Sequence, residues 1–510
     1  MYKKVGKLPG ITIIQGAHYA TLFILILVTA WLRLANLGYS DYQGDEIKAL
    51  EGPVQGQSLV ESLLAQRKGP LQFIITYLVR LLHPSLTNEF LTRLPFATAG
   101  ILSVYFFYRL VELHYGRKIA IYASVLLSIN GLFIGLTRIV QYQSLVILFS
   151  VLALYSFSQA LKSRRWAKAG IYAGFLFWVV AILAHYDGIF IAPAAIYLLV
   201  RWYTSQTGLP IKARLKHLLI PAALSGLLLG MFFIPYFLEL GDRTMQYWLE
   251  RITGEDTQNR VSSSLITFKL YNPLLSTYFY IVVGIFSLFQ LRKTLPVWLW
   301  FLFPWIILEG MIANPGTHIY TYIIPACILV ANGVSVFEQF CRRLLGHRVG
   351  KILVTGGMAV TMLFLFSVSH LIFVDHTPEY PLENRRILFW TIGVPDRKFH
   401  AWIFGFPYYR HWEQIGEFIR SAENNRYYAT NEKESLSDYY IPSRFDINQS
   451  VYYIHIYHPQ NFHAEMSNKK IRYWTKNYPP VKMFENEGRT VAEIYQMPEG
   501  TLKEIRKQGY

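Results

Sequence analysis

Long apolar runs separated by short polar breaks dominate the chain up to about residue 374. A run of roughly 20 apolar residues suffices to cross a hydrocarbon core of about 30 Å. By that measure the pattern predicts spans near 18–35, 93–111, 118–136, 142–161, 168–184, 187–203, 217–238, 272–291, 295–313, 319–337 and 352–374, about eleven crossings. The apolar run from Pro70 to Leu82 is too short to span and predicts a helix lying at the interface. No small-residue cleavage site follows the first run, so it reads as a retained span rather than a signal peptide. From His376 onward the pattern turns polar, with alternating runs such as Tyr452-Tyr453-Ile454-His455-Ile456, and predicts a small water-facing α/β domain over 375–510. The expected fold class is a polytopic α-helical membrane protein, 1–374, carrying that soluble domain.

Composition agrees with lipid as the main solvent: 53% of the 510 residues are hydrophobic and 16% charged, against about 25% charged in soluble proteins. The net charge of +17 would suggest nucleic acid in a soluble chain, but here orientation accounts for much of it. With the N-terminus in the cytoplasm, the inner loops hold Arg109, Arg117 and Lys118; Lys162, Arg164, Arg165 and Lys168; Arg201, Lys212, Arg214 and Lys216; Arg292 and Lys293; and Arg342, Arg343, Arg348 and Lys351. That is a positive-inside pattern. The alternate loops, about 36–92 and 239–271, then lie outside and carry acids, among them Asp41, Asp45, Glu46, Glu51, Glu239, Asp242, Glu250, Glu255 and Asp256. An odd number of spans puts the C-terminal domain outside as well, in the cytoplasmic (inner or plasma) membrane's extracytoplasmic space. Two cysteines, Cys327 and Cys341, both precede that domain, which therefore contains no disulfide.

This orientation gathers the unusual polar residues on one face: Asp45-Glu46, Arg67-Lys68-Gly69-Pro70, Arg138 with Gln141-Tyr142-Gln143, His185-Tyr186-Asp187, and His318-Ile319-Tyr320-Thr321-Tyr322. Ionisable groups at membrane depth are expensive and therefore functional suspects. Each also has a structural reading. Asp45 can cap a helix starting at Glu46, Lys68 and Arg138 can snorkel to head groups, and Tyr320 and Tyr322 fit an aromatic belt. His185 and His318, taken singly, fit satisfied structural histidines. Their convergence is what favours function.

A resident metal is not favoured, although a divalent ion is possible. The nearest carboxylates, Asp45, Glu46 and Asp187, form no Asp-x-Asp pair, and His185 and Asp187 at i, i+2 would not share a helix face. No phosphate-cradling glycine loop, dinucleotide fingerprint or zinc spacing occurs, which disfavours a nucleotide-driven enzyme or pump.

Four features together resemble the GT-C superfamily of membrane glycosyltransferases, in the branch of protein O-mannosyltransferases and the bacterial lipid A aminoarabinose transferase. They are the acidic pair Asp45-Glu46 soon after the first span, Lys68-Gly69-Pro70-Leu71 before the interfacial helix, Arg93-Leu94-Pro95 opening the second span, and Tyr322-Ile323-Ile324-Pro325 in a late one. The resemblance covers roughly 18–160 well and the later spans loosely. It implies an inverting glycosyltransferase that moves a sugar from a polyprenyl-phosphate carrier to a glycan, lipid or protein acceptor at the outer face. Asp45 would be the general base, with Glu46 beside it to orient the acceptor. Lys68 and Arg138 would hold the donor phosphate, and Gln141, Tyr142, His185, Asp187, His318, Tyr320 and Tyr322 would line the substrate pocket. Where several relatives carry an acid in the second outer turn, this chain has Gln141-Tyr142-Gln143; a neutral amide is no base, and a metal-assisted variant is correspondingly disfavoured.

Two other functions compete. A transporter or flippase of a lipid-linked or anionic substrate would place polar groups near the midplane and show internal repeats, whereas the charges here lie at span ends. A noncatalytic assembly partner with the same fold would lack a working base.

Overall fold

The computed structural model describes residues 13–254, 264–377, 379–382, 385–388, 390–392, 403–460, 473 and 475–498. Apolar helices make up most of the chain as far as Phe373. Seven are long and apolar enough to cross a membrane, or eight if the pair Arg117–Ser128 and Gly131–Thr137, bent by 63°, is one span. The larger number expected from sequence includes His18–Leu34 and Ala169–Ala184, which are apolar but shorter, and divides 274–310 in two.

Contacts show how that last stretch runs. Going down it, Tyr280 meets Cys327 and Phe286 packs on Phe337, parallel to the helix Tyr320–Leu345. A 3-10 segment, Phe286–Gln290, follows, and Gln290 leaves helical geometry at φ −121° and ψ 32°. Beyond it the Tyr115 hydroxyl donates to Lys293 O, Phe301 packs on Tyr322, and the Tyr322 hydroxyl donates to Glu309. The second half therefore returns antiparallel to the first. Gly333 permits the close approach of the descending half, since a β-carbon there would lie 1.9 Å from Val283 O.

The short helix Leu71–Leu82 is 12 residues long, about 18 Å, and it packs on the first-loop helix Gly44–Leu50 and on the helices Glu89–Tyr115 and Ala169–Ala184. Thr76 donates to Ala49 O, Arg80 to Leu50 O, and the preceding Gly69 lies against the end of Ala169–Ala184. The predicted outer loop 239–271 contains the helices Asp242–Thr253 and Ser264–Tyr271. Glu255 and Asp256 lie outside the described residues.

The C-terminal part contains a five-stranded sheet in the order Arg444–Phe445, Tyr427–Thr430, Tyr452–Ile456, Arg489–Gln496, Lys482–Asn486. The first two pairings are parallel and the last two antiparallel. The alternating run read as a strand is the central strand, Tyr452–Ile456. Helix Trp412–Ser421 buries Trp412, Ile415, Gly416 and Ile419, the spacing of one helix face. Among the bonds that tie this domain to the first loop, Arg410 N–H donates to Asp41 Oδ2, Tyr42 N–H to the Tyr440 hydroxyl, Gly44 N–H to Gln460 Oε1, and Ser40 Oγ–H to Phe406 O.

Candidate active site

The helix Gly44–Leu50 begins one residue earlier than Asp45 and is capped by Gln43, whose side chain accepts the Asp45 N–H while Glu46 accepts the Gln43 N–H. Asp45 is therefore not the cap, as the sequence allowed. Its carboxylate, 40% exposed, is free to face a cavity and has Lys48 Nζ at 3.6 Å.

Glu46 differs completely. It is fully buried, and both oxygens are consumed: Arg93 Nε and Nη2 each donate at 2.8 Å, and the Gln43 and Val140 N–H groups complete the shell. The expectation that Glu46 orients an acceptor is corrected accordingly, because no lone pair faces the cavity. Arg93 also donates to the carbonyls of Leu37, Ser40 and Asp41, so this pair braces the first loop. Arg138 is corrected in the same way. Its guanidinium donates to the carbonyls of Leu32, Ala35 and Asn36, at and just past the end of the first helix, where carbonyls lack helical partners. It lines neither of the two large cavities.

Those two cavities adjoin. One, of about 400 Å³, is polar and lined by Asp45, Lys48, Lys68, Gln141, Tyr142 and His185 among others. The other, about 330 Å³, is apolar and runs between Phe190, Phe233, Tyr236, Phe237, Leu308 and Ile312. Its wall helix Ile211–Leu238 has only 6% of its apolar window buried, so this side is open to the surroundings of the helices. Arg67, Lys68, Tyr186, Trp248, Arg251 and His318 line both. Three cations thus stand at the junction of a polar chamber and an apolar groove.

The sequence gathered Arg67 on this face without giving it a role and missed Arg251. Arg251 lies on the amphipathic helix Asp242–Thr253, is braced by its bonds to Asn314 O and the Tyr247 hydroxyl, and shares the Tyr247 ring face with Arg67. The signal available was a basic residue beside Tyr247 and Trp248 on an amphipathic helix of the long, mixed-charge loop 239–271. Tyr247 and Trp248 face the polar cavity, whereas Tyr408 and Trp412 are packed in the interior.

Lys68 is placed by a short chain of contacts. Gly69 passes where a β-carbon would lie 2.2 Å from Leu183 O, so only glycine lets the loop sit there. Lys68 Nζ donates to Gln141 Oε1 at 2.9 Å, and Gln141 Nε2 donates to Asp45 O at 2.8 Å. The amide of Gln141 bridges the Lys68 ammonium and the Asp45 main-chain carbonyl with one acceptor and one donor, which a carboxylate in its place would not supply. Nζ also lies 4.9 Å from the centre of the Tyr142 ring, within cation–π range. Burial pushes the Lys68 ammonium down to about 8, with Asp45 opposing the shift. For Asp45, burial favours the neutral form, but Lys48, Lys68 and Lys433 outweigh it and bring the carboxyl below its usual value. Asp45 is thus an ionised acceptor of protons at neutral pH.

Behind this wall stand the remaining predicted residues. Tyr142 stacks on His185, with centroids 3.8 Å apart and planes at 9°. Asp187 Oδ2 accepts from the Tyr320 hydroxyl at 2.8 Å and lies 2.7 Å from His318 Nδ1, and the Asp187 N–H donates to His185 Nδ1. Tyr320 and Tyr322 do not line either large cavity; Tyr322 binds Glu309 instead.

The argument that His185 and Asp187 cannot face one another assumed a helix. At His185 the chain is extended, φ −168° and ψ 149°, and with His318 their ligand atoms all lie within 4.8 Å. The nitrogen and oxygen set suits a divalent ion in kind. Yet both imidazole Nδ1 atoms and Asp187 Oδ2 are engaged in the bonds just described, while Asp187 Oδ1 has no hydrogen-bond donor among the described residues. In this arrangement the cluster supports Tyr142 through the stacked His185 ring.

Residues 68–229 match the dolichyl-phosphate-mannose-protein mannosyltransferase family. No curated protein matches the chain by sequence. Among solved structures, ArnT from Cupriavidus metallidurans, bound to undecaprenyl phosphate, aligns with a TM-score of 0.51 at 12% identity, over 94% of this chain and 97% of that one. The oligosaccharyltransferase of Archaeoglobus fulgidus, tethered with an acceptor peptide, aligns with a TM-score of 0.51 at 11% identity over 85% of this chain. The chain spans 64% of that enzyme's length. A second structure of the archaeal enzyme, with an inhibitory peptide and a dolichol-phosphate, gives a TM-score of 0.50 at 11% identity, over 87% of this chain and 70% of that one. The chain thus shares the fold of these membrane enzymes, and within it residues 68–229 match the mannosyltransferase family.

Proposed function

We propose that this protein is an inverting glycosyltransferase that takes a sugar from a polyprenyl-phosphate carrier and transfers it to an acceptor hydroxyl or similar group at the outer face of the membrane. The observation that carries the proposal is the junction of the two cavities, where Arg67, Lys68 and Arg251 stand between an apolar groove and a polar chamber holding Asp45. A lipid-phosphate sugar has the same layout: an apolar tail, an anion, then a polar ring.

In this reading the prenyl chain lies along Phe190, Phe233 and Phe237, and the phosphate meets the three cations. Asp45 takes the proton of the acceptor hydroxyl as the acceptor oxygen bonds to the anomeric carbon. The bond from that carbon to the phosphate oxygen breaks and its electron pair leaves with the phosphate. The extra negative charge falls where the cations already point, so little reorganisation is needed. A single displacement from the face opposite the phosphate inverts the anomeric centre. Nothing in this sequence of steps calls for a resident metal, since side-chain cations meet the leaving group. The sequence-level competitor, a transporter, has no comparable support: the polar chamber is built from loops and helix ends.

The test supplies radiolabelled polyprenyl-phosphate sugars to membranes containing the protein and follows label into an acceptor fraction, with and without a chelator. Transfer with inverted configuration, unaffected by chelation, is expected. Absence of transfer, with every donor recovered intact, would overturn the reading.

A further inference from the structure

The C-terminal sheet domain does more than rest on the first loop. Three of the residues that lead into Asp45 are held by it: Asp41 by the Arg410 N–H, Tyr42 by the Tyr440 hydroxyl, and Gly44 by Gln460. Lys433 then lies across Gly44. A β-carbon on that glycine would be 3.5 Å from Lys433 Cδ and 3.8 Å from Nζ. One buried carboxylate organises this approach: Glu432 accepts the Lys433 N–H at 2.8 Å, the Gln460 N–H at 2.9 Å and the Tyr408 hydroxyl at 3.1 Å. Both residues of the domain that touch Gly44 are therefore set by Glu432.

We propose that Lys433 is a positioning residue for Asp45: its ammonium, delivered by the docked C-terminal domain, holds the Asp45 carboxylate ionised and aligned in the polar chamber. The proposal rests on the reading of Asp45 as the base. Asp45 is faced by Lys48 from its own helix, by Lys68 from the loop before Leu71–Leu82, by Lys433 from the sheet domain and by Tyr271 from Ser264–Tyr271; Glu51 and Arg251 line the same cavity. Of the three lysines, Lys433 is the only one that depends on how the C-terminal domain is seated. Burial and Lys48 disfavour its charge, and Asp45 and then Glu432 favour it, so Asp45 and Lys433 sustain one another with Glu432 adding to the support. The site is then complete only when the domain is docked.

The experiment measures the protonation of Asp45 directly, without relying on turnover. The full chain is treated with a water-soluble carbodiimide and an amine nucleophile across a pH series, and labelling of the Asp45 peptide is read by mass spectrometry. Lys433→Gln and Lys433→Met are both prepared, so that one folded neutral variant suffices, together with Lys433→Arg. The labelling midpoint is expected to rise by about one pH unit in the neutral variants and to return in Lys433→Arg. An unchanged midpoint in a folded neutral variant, or failure of arginine to restore it, would overturn the proposal. The acidic limb of kcat/KM should move with the midpoint; a limb that stays put while the midpoint moves would contradict Asp45 as the base and leave the role of Lys433 standing.

Discussion

Two walls around the first loop use the same residue types to opposite ends. On the cavity side, Asp45, Lys68 and Arg251 are partly open and share their charges across a polar chamber. On the sealed side, Glu46, Arg93 and Arg138 are buried, and the two walls diverge at adjacent residues, Asp45 and Glu46. Glu46 has every oxygen consumed by Arg93 and two backbone N–H groups, and Arg138 closes the carbonyls at the end of the first helix. Charge alone does not mark a site. What separates the walls is whether a charged group keeps bonding capacity for something that is not protein.

The comparison breaks first at the sealed wall. Glu46→Ala strands the Arg93 guanidinium in the interior and should cost about 3–5 kcal/mol of stability, read as a large fall in the melting temperature of the detergent-solubilised chain or loss of the folded species. Arg138→Met should follow it with a smaller loss, because it leaves carbonyls rather than a charge unpaired. At the cavity wall the same kind of change should leave folding intact and move kinetics. Lys68→Ala and Arg251→Ala are each expected to raise the donor KM by about 10- to 100-fold, the scale of one charge-assisted contact.

A finer probe is pH. Lys68 is cationic below about 8 and neutral above it, so donor binding through its charge is present at neutral pH and fades as the pH rises through that value. Donor KM should therefore climb above about pH 8 in the wild type, and Lys68→Arg should flatten the rise. The smallest effect is expected in the groove: Trp248→Leu should weaken long-chain donors by only about three- to tenfold, the range for trimming apolar contact area, and should spare donors with short chains.

Much of this was readable in the sequence, for physical reasons that differ by element. Apolar runs give the helices because lipid tolerates few alternatives, and the basic loops give an expected sidedness. The helix Leu71–Leu82 was readable from its length. The reversal inside 274–310 was readable from the basic pair Arg292 and Lys293, although the helix signal is almost unbroken there. Asp45 and Lys68 were found because they sit at breaks in apolar pattern. Arg138 was misread by the same rule: it also sits at a break, but its partners are carbonyls on another helix, and carbonyls leave no trace in a sequence. Glu46 was assigned to the cavity with its neighbour, since only the position of the cap, Gln43 rather than Asp45, turns the two side chains to opposite walls. Arg251 and Lys433 come from distant segments whose approach depends on tertiary packing.

The most direct test of the two-wall account compares Asp45→Asn with wild type in transfer of a labelled sugar from polyprenyl phosphate, alongside donor binding by the same protein. The account predicts that Asp45→Asn folds and binds donor within a few-fold of wild type yet transfers sugar at least about 10²-fold more slowly. Transfer at an unchanged rate by a folded Asp45→Asn protein would contradict it.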